Sequence, residues 1–170
     1  QLKQFAQRKG YSTENATWEQ LFNQIFLNEI EPHFDQQPFF LIDFPARISP
    51  LCKPREDAPH STQRFELYIA GIEIGNGNTE ETDSAKVQTI FEQERAEREK
   101  DRFIRETETA GRAPADGSTI HDADFTAPPI DTEFLSALAH MHSHQYAGIG
   151  LGVERLVMIL ADVADIKSLL

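Results

Sequence analysis

Apolar residues first recur at helical spacing in Trp18, Leu21, Phe22, Ile25, Phe26 and Ile30, which predicts a helix with one buried face. Thr17 followed by Gln20 predicts a capping box at its start, and Pro32 marks its end. Between Pro38 and Pro45 the run Phe39, Phe40, Leu41, Ile42 and Phe44 reads as a strand covered on both faces. Pro50, Pro54 and Pro59 then punctuate a loop. From Phe65 the period falls to two. Phe65, Leu67 and Ile69 are expected inward and Glu66 and Tyr68 outward, with Ile72 and Ile74 continuing the alternation around Glu73. Ala70-Gly71 between the two runs predicts a two-residue hairpin turn.

Helical spacing returns with Val87, Ile90 and Phe91, and the continuation from Glu92 to Arg105 mixes charges of both signs, as a solvated helix face does. Residues 107–129 are rich in Ala, Gly, Asp, Thr and Pro and read as a long surface loop or insertion. Phe134, Leu135 and Leu138 predict a short helix, and Val153, Leu156, Val157, Ile159 and Leu160 a final buried one.

Composition bounds what such a chain can do. Its 170 residues suit one domain or part of one, and 39% hydrophobic residues with 12 Phe support a packed core. Lys and Arg number 16 against 28 Asp and Glu, a formal net charge of −12, which argues against a surface that coats nucleic acid at large. The lone cysteine, Cys52, excludes an intrachain disulfide and a zinc knuckle. The same single cysteine fits a reducing, cytoplasmic compartment, and no apolar run approaches the roughly 20 residues needed to span a bilayer, so no membrane partner is expected. The chain opens on Gln1 and stops in the apolar stretch Ile166 to Leu170, which suggests a piece of a longer protein.

The hairpin carries the most chemistry. A turn at Ala70-Gly71 pairs Tyr68 with Glu73 and Glu66 with Gly75, leaving Glu66 and Glu73 as diagonal neighbours about 5.5 to 8 Å apart. Two carboxylates so placed suit a hard divalent ion carrying phosphate oxygens, or are simply the wet face of an amphipathic hairpin. Gly75 and Gly77 flank Asn76 and read either as a flexible turn or as bare backbone against which a ligand can press. Glu80 beside that floor could hold an ammonium group.

The run from Gly148 to Arg155 is a glycine-rich entry into a helix that is neither a P-loop nor a dinucleotide fingerprint. Its glycines could let a flat ring lie on the backbone, with Arg155 as a cationic fork. His140, His142 and His144 alternate as a weak candidate for metal binding, and Cys52 has no base beside it in sequence.

Taken together, Arg64 to Tyr68, Gly71 to Gly77, Glu80 and the distant Gly148 to Arg155 run resemble the C-terminal half of the catalytic domain of class II lysyl-tRNA synthetases. Phe44-Pro45-Ala46 and Ser49-Pro50-Leu51 are similar to that family too, while Thr82-Asp83 and the Trp18 helix leading into Glu31-Pro32 look more like its paralogue, the ligase that attaches lysine or β-lysine to elongation factor P, and Gly75 more like the synthetase. The resemblance implies an α+β fold, an antiparallel sheet flanked by helices, with residues 1–170 forming the C-terminal part of the catalytic domain. It implies an ATP-dependent aminoacyl ligase that activates lysine as an adenylate for transfer to tRNA, or to elongation factor P, in a homodimeric parent protein. A non-catalytic binding or regulatory relative is the reading from a different class.

Residue by residue, the resemblance places Glu66, Leu67, Gly150, Gly152 and Arg155 on ATP, with Glu66 and Arg155 catalytic and Glu66 and Glu73 on magnesium. Glu73 would also approach the substrate amino group, Asn76 the carboxylate and Glu80 the ε-ammonium. The chain departs from the family at Asn78, where an aromatic is usual, in the segment His140 to Tyr146, and over residues 107–129. The family's first and second motifs are not found, so the piece alone is expected to be inactive.

Overall fold

The first helix, α1 (Leu2–Arg8), arises in a segment with no strong apolar period, and it is fixed by tertiary contact. Its Ala6 is fully buried against Leu21 and Ile25 of α2 (Trp18–Ile25). This is a computed structural model, and it describes residues 1–109, 128–141 and 145–169. The capping box forms at the start of α2: Gln20 N donates to Thr17 Oγ1 at 3.2 Å and Thr17 N to Gln20 Oε1 at 2.8 Å. The helix then widens into a π turn over Phe26–Ile30 and ends in a 3-10 turn, Glu31–His33, which contains Pro32. Along it Trp18 stacks on Phe22 and Phe22 on Phe26, while Phe34 meets both Phe39 and Tyr68 edge-on.

Four antiparallel strands make one sheet in chain order: β1 (Phe39–Ile42), β2 (Arg64–Ile69), β3 (Ile72–Thr79) and β4 (Ala147–Leu151). Ala70 and Gly71 both have positive φ, 53° and 74°, the twist a two-residue hairpin needs. The expected burial of β2 is inverted. Glu66 and Tyr68 are its two buried residues, at 7% and 1% exposure, and Phe65, Leu67 and Ile69 are only half-buried. The turn that ends α2 brings Phe34 over Tyr68, so the polar-looking side of the hairpin is the covered one. Nor is β1 covered on both faces, since Phe40 and Ile42 stand 61% and 58% exposed while Phe39 stacks on Tyr68.

The strand β4 lies in a run read from sequence only as a glycine-rich entry into a helix. It pairs with β3 from Gly75↔Leu151 to Thr79↔Ala147, and α5 (Val153–Leu160) follows through Gly152. That last helix is not buried as expected: Val153, Val157 and Leu160 are exposed.

By its contacts the chain divides into two units. The sheet, α1, α2 and α5 belong to Gln1–Glu80 with Tyr146–Leu170. The second, Glu81–Gln145, holds α3 (Ser84–Thr109) and α4 (Thr132–Ala139), between which Phe91 meets Phe134. Residues 107–109, expected in a loop, close α3, and residues 110–127 of the expected insertion lie outside the described residues. Among the described residues no helix is long and apolar enough to cross a membrane.

Candidate functional site

The hairpin register is set by a β-bulge. Tyr68 pairs with Glu73 as expected, but the next pair is Leu67↔Gly75, so Ile74 is an extra residue on β3. Glu66 therefore faces Asn76 and not Gly75, which turns Asn76 onto the face that carries Glu66 and Tyr68. Gly75 and Gly77 consequently lie on the opposite face and offer no bare floor to a ligand. A Cβ on Gly77 would meet Phe65 Cζ at 2.6 Å and Gly148 O at 2.8 Å, and one on Gly75 would meet Ile149 Cδ1 at 3.0 Å. The bare backbone on the polar face comes from β4, where Gly148 pairs with Asn78 and Gly150 with Asn76. A Cβ on either would have nothing nearer than 3.8 Å.

Around Glu66 the polar groups close into a network. Arg64 Nη2 donates to Glu66 Oε1 at 2.6 Å, Asn76 Nδ2 donates to the same oxygen at 3.3 Å, and Arg64 Nε donates to Asn76 Oδ1 at 3.3 Å. Tyr68 Oη lies 3.0 Å from Glu66 Oε2 and 3.2 Å from Glu31 Oε1. Arg64 is itself held on the Phe44 ring, 4.4 Å from its centroid, and donates to Ser49 Oγ at 2.9 Å. Burial pushes the Glu66 carboxyl above its ordinary range, and Glu73 adds to the rise, while Arg64 and the Tyr68 hydrogen bond work against it. The Tyr68 hydroxyl is pushed up by burial and then by Glu66.

Glu73 meets the helix that follows β4. Arg155 Nη1 donates to Glu73 O at 2.9 Å and approaches its Oε2 at 3.4 Å, while Gly152 N donates to Ile74 O at 2.8 Å. The bulged stretch of β3 thus fixes the start of α5 and aims Arg155 at the carboxylate side of the sheet. Gly152 is the N-cap of α5, and the absence of a side chain there leaves room for the Arg155 stem, whose Cδ lies 3.4 Å from where a Cβ would stand.

At the far end of β3, Asn78 Nδ2 donates to Glu80 Oε2 at 3.1 Å. Leu67 pairs with Phe40 and Gly75, and the alternation along β2 sets its side chain on the face away from Glu66. His140 Nδ1 lies 2.7 Å from Ser136 O at the end of α4, and His142 and His144 lie outside the described residues. Among the described residues no group of three or more His, Cys, Asp or Glu side chains could hold a metal ion. Burial pushes the Cys52 thiol up, the reverse of what a nucleophile needs. A cleft of about 640 Å³ opens beside Ile42, Phe65 and Thr79, and its lining also takes in Arg64 and Asn78. Its Arg55 is already paired with Asp43 and Asp57.

Sequence reasoning gave Arg64 and Tyr68 no part in the site. The signal was present, since both stand two residues from Glu66 on one strand and so share its face. Glu31 carries no such signal, because it arrives through the turn that ends α2.

A four-stranded antiparallel sheet flanked by helices, with a glycine-bounded helix aiming an arginine at paired carboxylates, is the arrangement of a class II synthetase catalytic core. The chain belongs to that family: the model of the class II tRNA synthetases (D, K and N) matches residues 23–170. Among its curated relatives, a lysine–tRNA ligase from Chloroflexus aurantiacus is 35% identical over 99% of this chain and 30% of its own length. The chloroplastic/mitochondrial lysine–tRNA ligase of Arabidopsis thaliana is 34% identical over 88% of this chain and 24% of its own, and that of Sulfolobus acidocaldarius is 32% identical over 79% and 22%. The chain thus spans less than a third of the length of these relatives.

Proposed function

We propose that this chain supplies the lysine-binding half of a class II catalytic centre, which activates lysine with ATP and passes it to tRNA. The observation that carries the reading is the single polar face shared by β2, β3 and β4, on which Glu66, Asn76, Asn78 and Glu80 follow one another toward Gly148 and Gly150. The names of the relatives favour tRNA over elongation factor P as acceptor. A cytoplasmic setting and a homodimeric parent belong to the same reading.

In this mechanism a lysine carboxylate oxygen attacks the α-phosphorus of ATP, the bond from that phosphorus to the bridging oxygen breaks, and pyrophosphate leaves. Asn76 orients the carboxylate, Glu73 faces the amino group, and Glu80 receives the ε-ammonium through a charge-assisted hydrogen bond. Arg155 would turn its fork from Glu73 to the nucleotide, and the bare backbone of Gly150 leaves space for the ring. Positioning and charge neutralisation supply most of the rate. Glu66 and Glu73, both hard oxygen donors, would hold magnesium, with Glu66 releasing part of its bonding to Arg64, Asn76 and Tyr68. The ion's chemistry there would be to neutralise phosphate charge.

The acceptor is tested by supplying the full-length protein with ATP and labelled lysine beside tRNA and elongation factor P. Label that becomes sensitive to ribonuclease supports this reading. Label that remains on protein overturns it in favour of the protein-modifying alternative.

A further inference from the structure

The backbone that carries Glu80 is held from three directions. Lys53 N donates to Thr79 O at 2.8 Å, Thr79 N to Gln63 O at 2.9 Å, and Glu80 N to Tyr146 O at 2.8 Å. Its side chain is then held by Asn78, which takes Oε2 and leaves Oε1 beside Gly148. Asn78 stands between Asn76 and Glu80 on one face of β3, so a side chain stretched from the first to the second must pass over it. The neighbours across both ladders do not cover that stretch. Gly148 has no side chain, and the Arg64 guanidinium is turned toward Asn76, Glu66 and Ser49, at the end of the stretch far from Glu80.

Four methylenes of a lysine would find apolar surface more favourable than this. Among the described residues Asn78 Oδ1 has no hydrogen-bond partner, so it can take a donor from whatever lies against it. A substrate hydroxyl at that place keeps a hydrogen bond that an apolar wall would strip from it.

Resting on the ligase reading above, we propose that Asn78 is the specificity-determining residue of the amino-acid pocket. It orients Glu80 and presents a polar wall to the substrate stem, so the pocket accepts a basic amino acid that bears a hydroxyl on its side chain nearly as well as lysine itself.

The test is steady-state ATP–pyrophosphate exchange by the full-length protein with lysine and with δ-hydroxylysine, in the wild type and in Asn78→Leu and Asn78→Ser. The wild type should use both amino acids with kcat/KM within a few-fold. Asn78→Leu should raise KM for lysine about tenfold, the loss of one hydrogen bond to a charged group, with KM for ATP unchanged. It should also shift the preference toward lysine about tenfold, and Asn78→Ser should restore the wild-type ratio. A general structural defect would move KM for ATP as well and leave the ratio alone. An unchanged ratio in Asn78→Leu, or a wild type that rejects δ-hydroxylysine a hundredfold, overturns the assignment. Exchange with no amino acid at all in the wild type overturns the ligase reading on which it rests.

Discussion

Gly77 shows what one missing side chain does at the centre of the sheet. The Phe65 ring and the Gly148 carbonyl already fill the space a Cβ would take, the latter at 2.8 Å, and a backbone atom cannot swing aside as a side chain can. Gly77→Ala should therefore lower unfolding free energy by about 1–3 kcal/mol, read by urea denaturation, through a loosened β3–β4 pairing. Tyr68 acts on charge instead. Its hydroxyl is one of the groups that hold the raised Glu66 value down, so Tyr68→Phe should let that value climb further. If Glu66 serves a nucleotide-bound ion as proposed, it must be ionised to do so, and nucleotide binding should be lost as pH falls through the Glu66 value. The acid limb of the nucleotide Kd should then move to higher pH in Tyr68→Phe. An unmoved limb would separate Tyr68 from the site.

The elements differ in how openly the sequence declared them. The capping box of α2 was legible because Thr17 and Gln20 are local partners, and Thr17→Ala should cost about 1 kcal/mol in thermal unfolding. The hairpin turn was equally local. Its bulge was not, for nothing in Glu73-Ile74-Gly75 distinguishes a strand residue from an extra one, and Ile74 earns its place by being buried. The identities of Glu66, Glu73 and Asn76 were therefore readable as candidates, while the pairing that puts Glu66 opposite Asn76 was not. Glycine weakens a strand, so β4 was masked by the same glycines that leave the polar face bare. The helix α1 stayed hidden because its one buried residue is an alanine.

In the molecule as a whole, the site gathers at one sheet from segments far apart in sequence. Arg155 reaches Glu73 across 82 residues, a contact no local pattern contains. The order of the two blocks, and not their spacing, is what made the family resemblance informative. Arg155→Ala should weaken ATP binding by about 2 kcal/mol, measured by calorimetry on the full-length protein, if the guanidinium leaves Glu73 for the nucleotide.

Lysine activation is the claim on which the rest depends, and amino-acid-dependent exchange of labelled pyrophosphate into ATP tests it most directly. The full-length protein, with magnesium, should be tested with each amino acid in turn and with β-lysine. Exchange with lysine is expected, and its loss in Glu80→Gln through a raised KM for the amino acid. Exchange with an amino acid that carries no side-chain ammonium, or exchange with none from a folded sample, would contradict it.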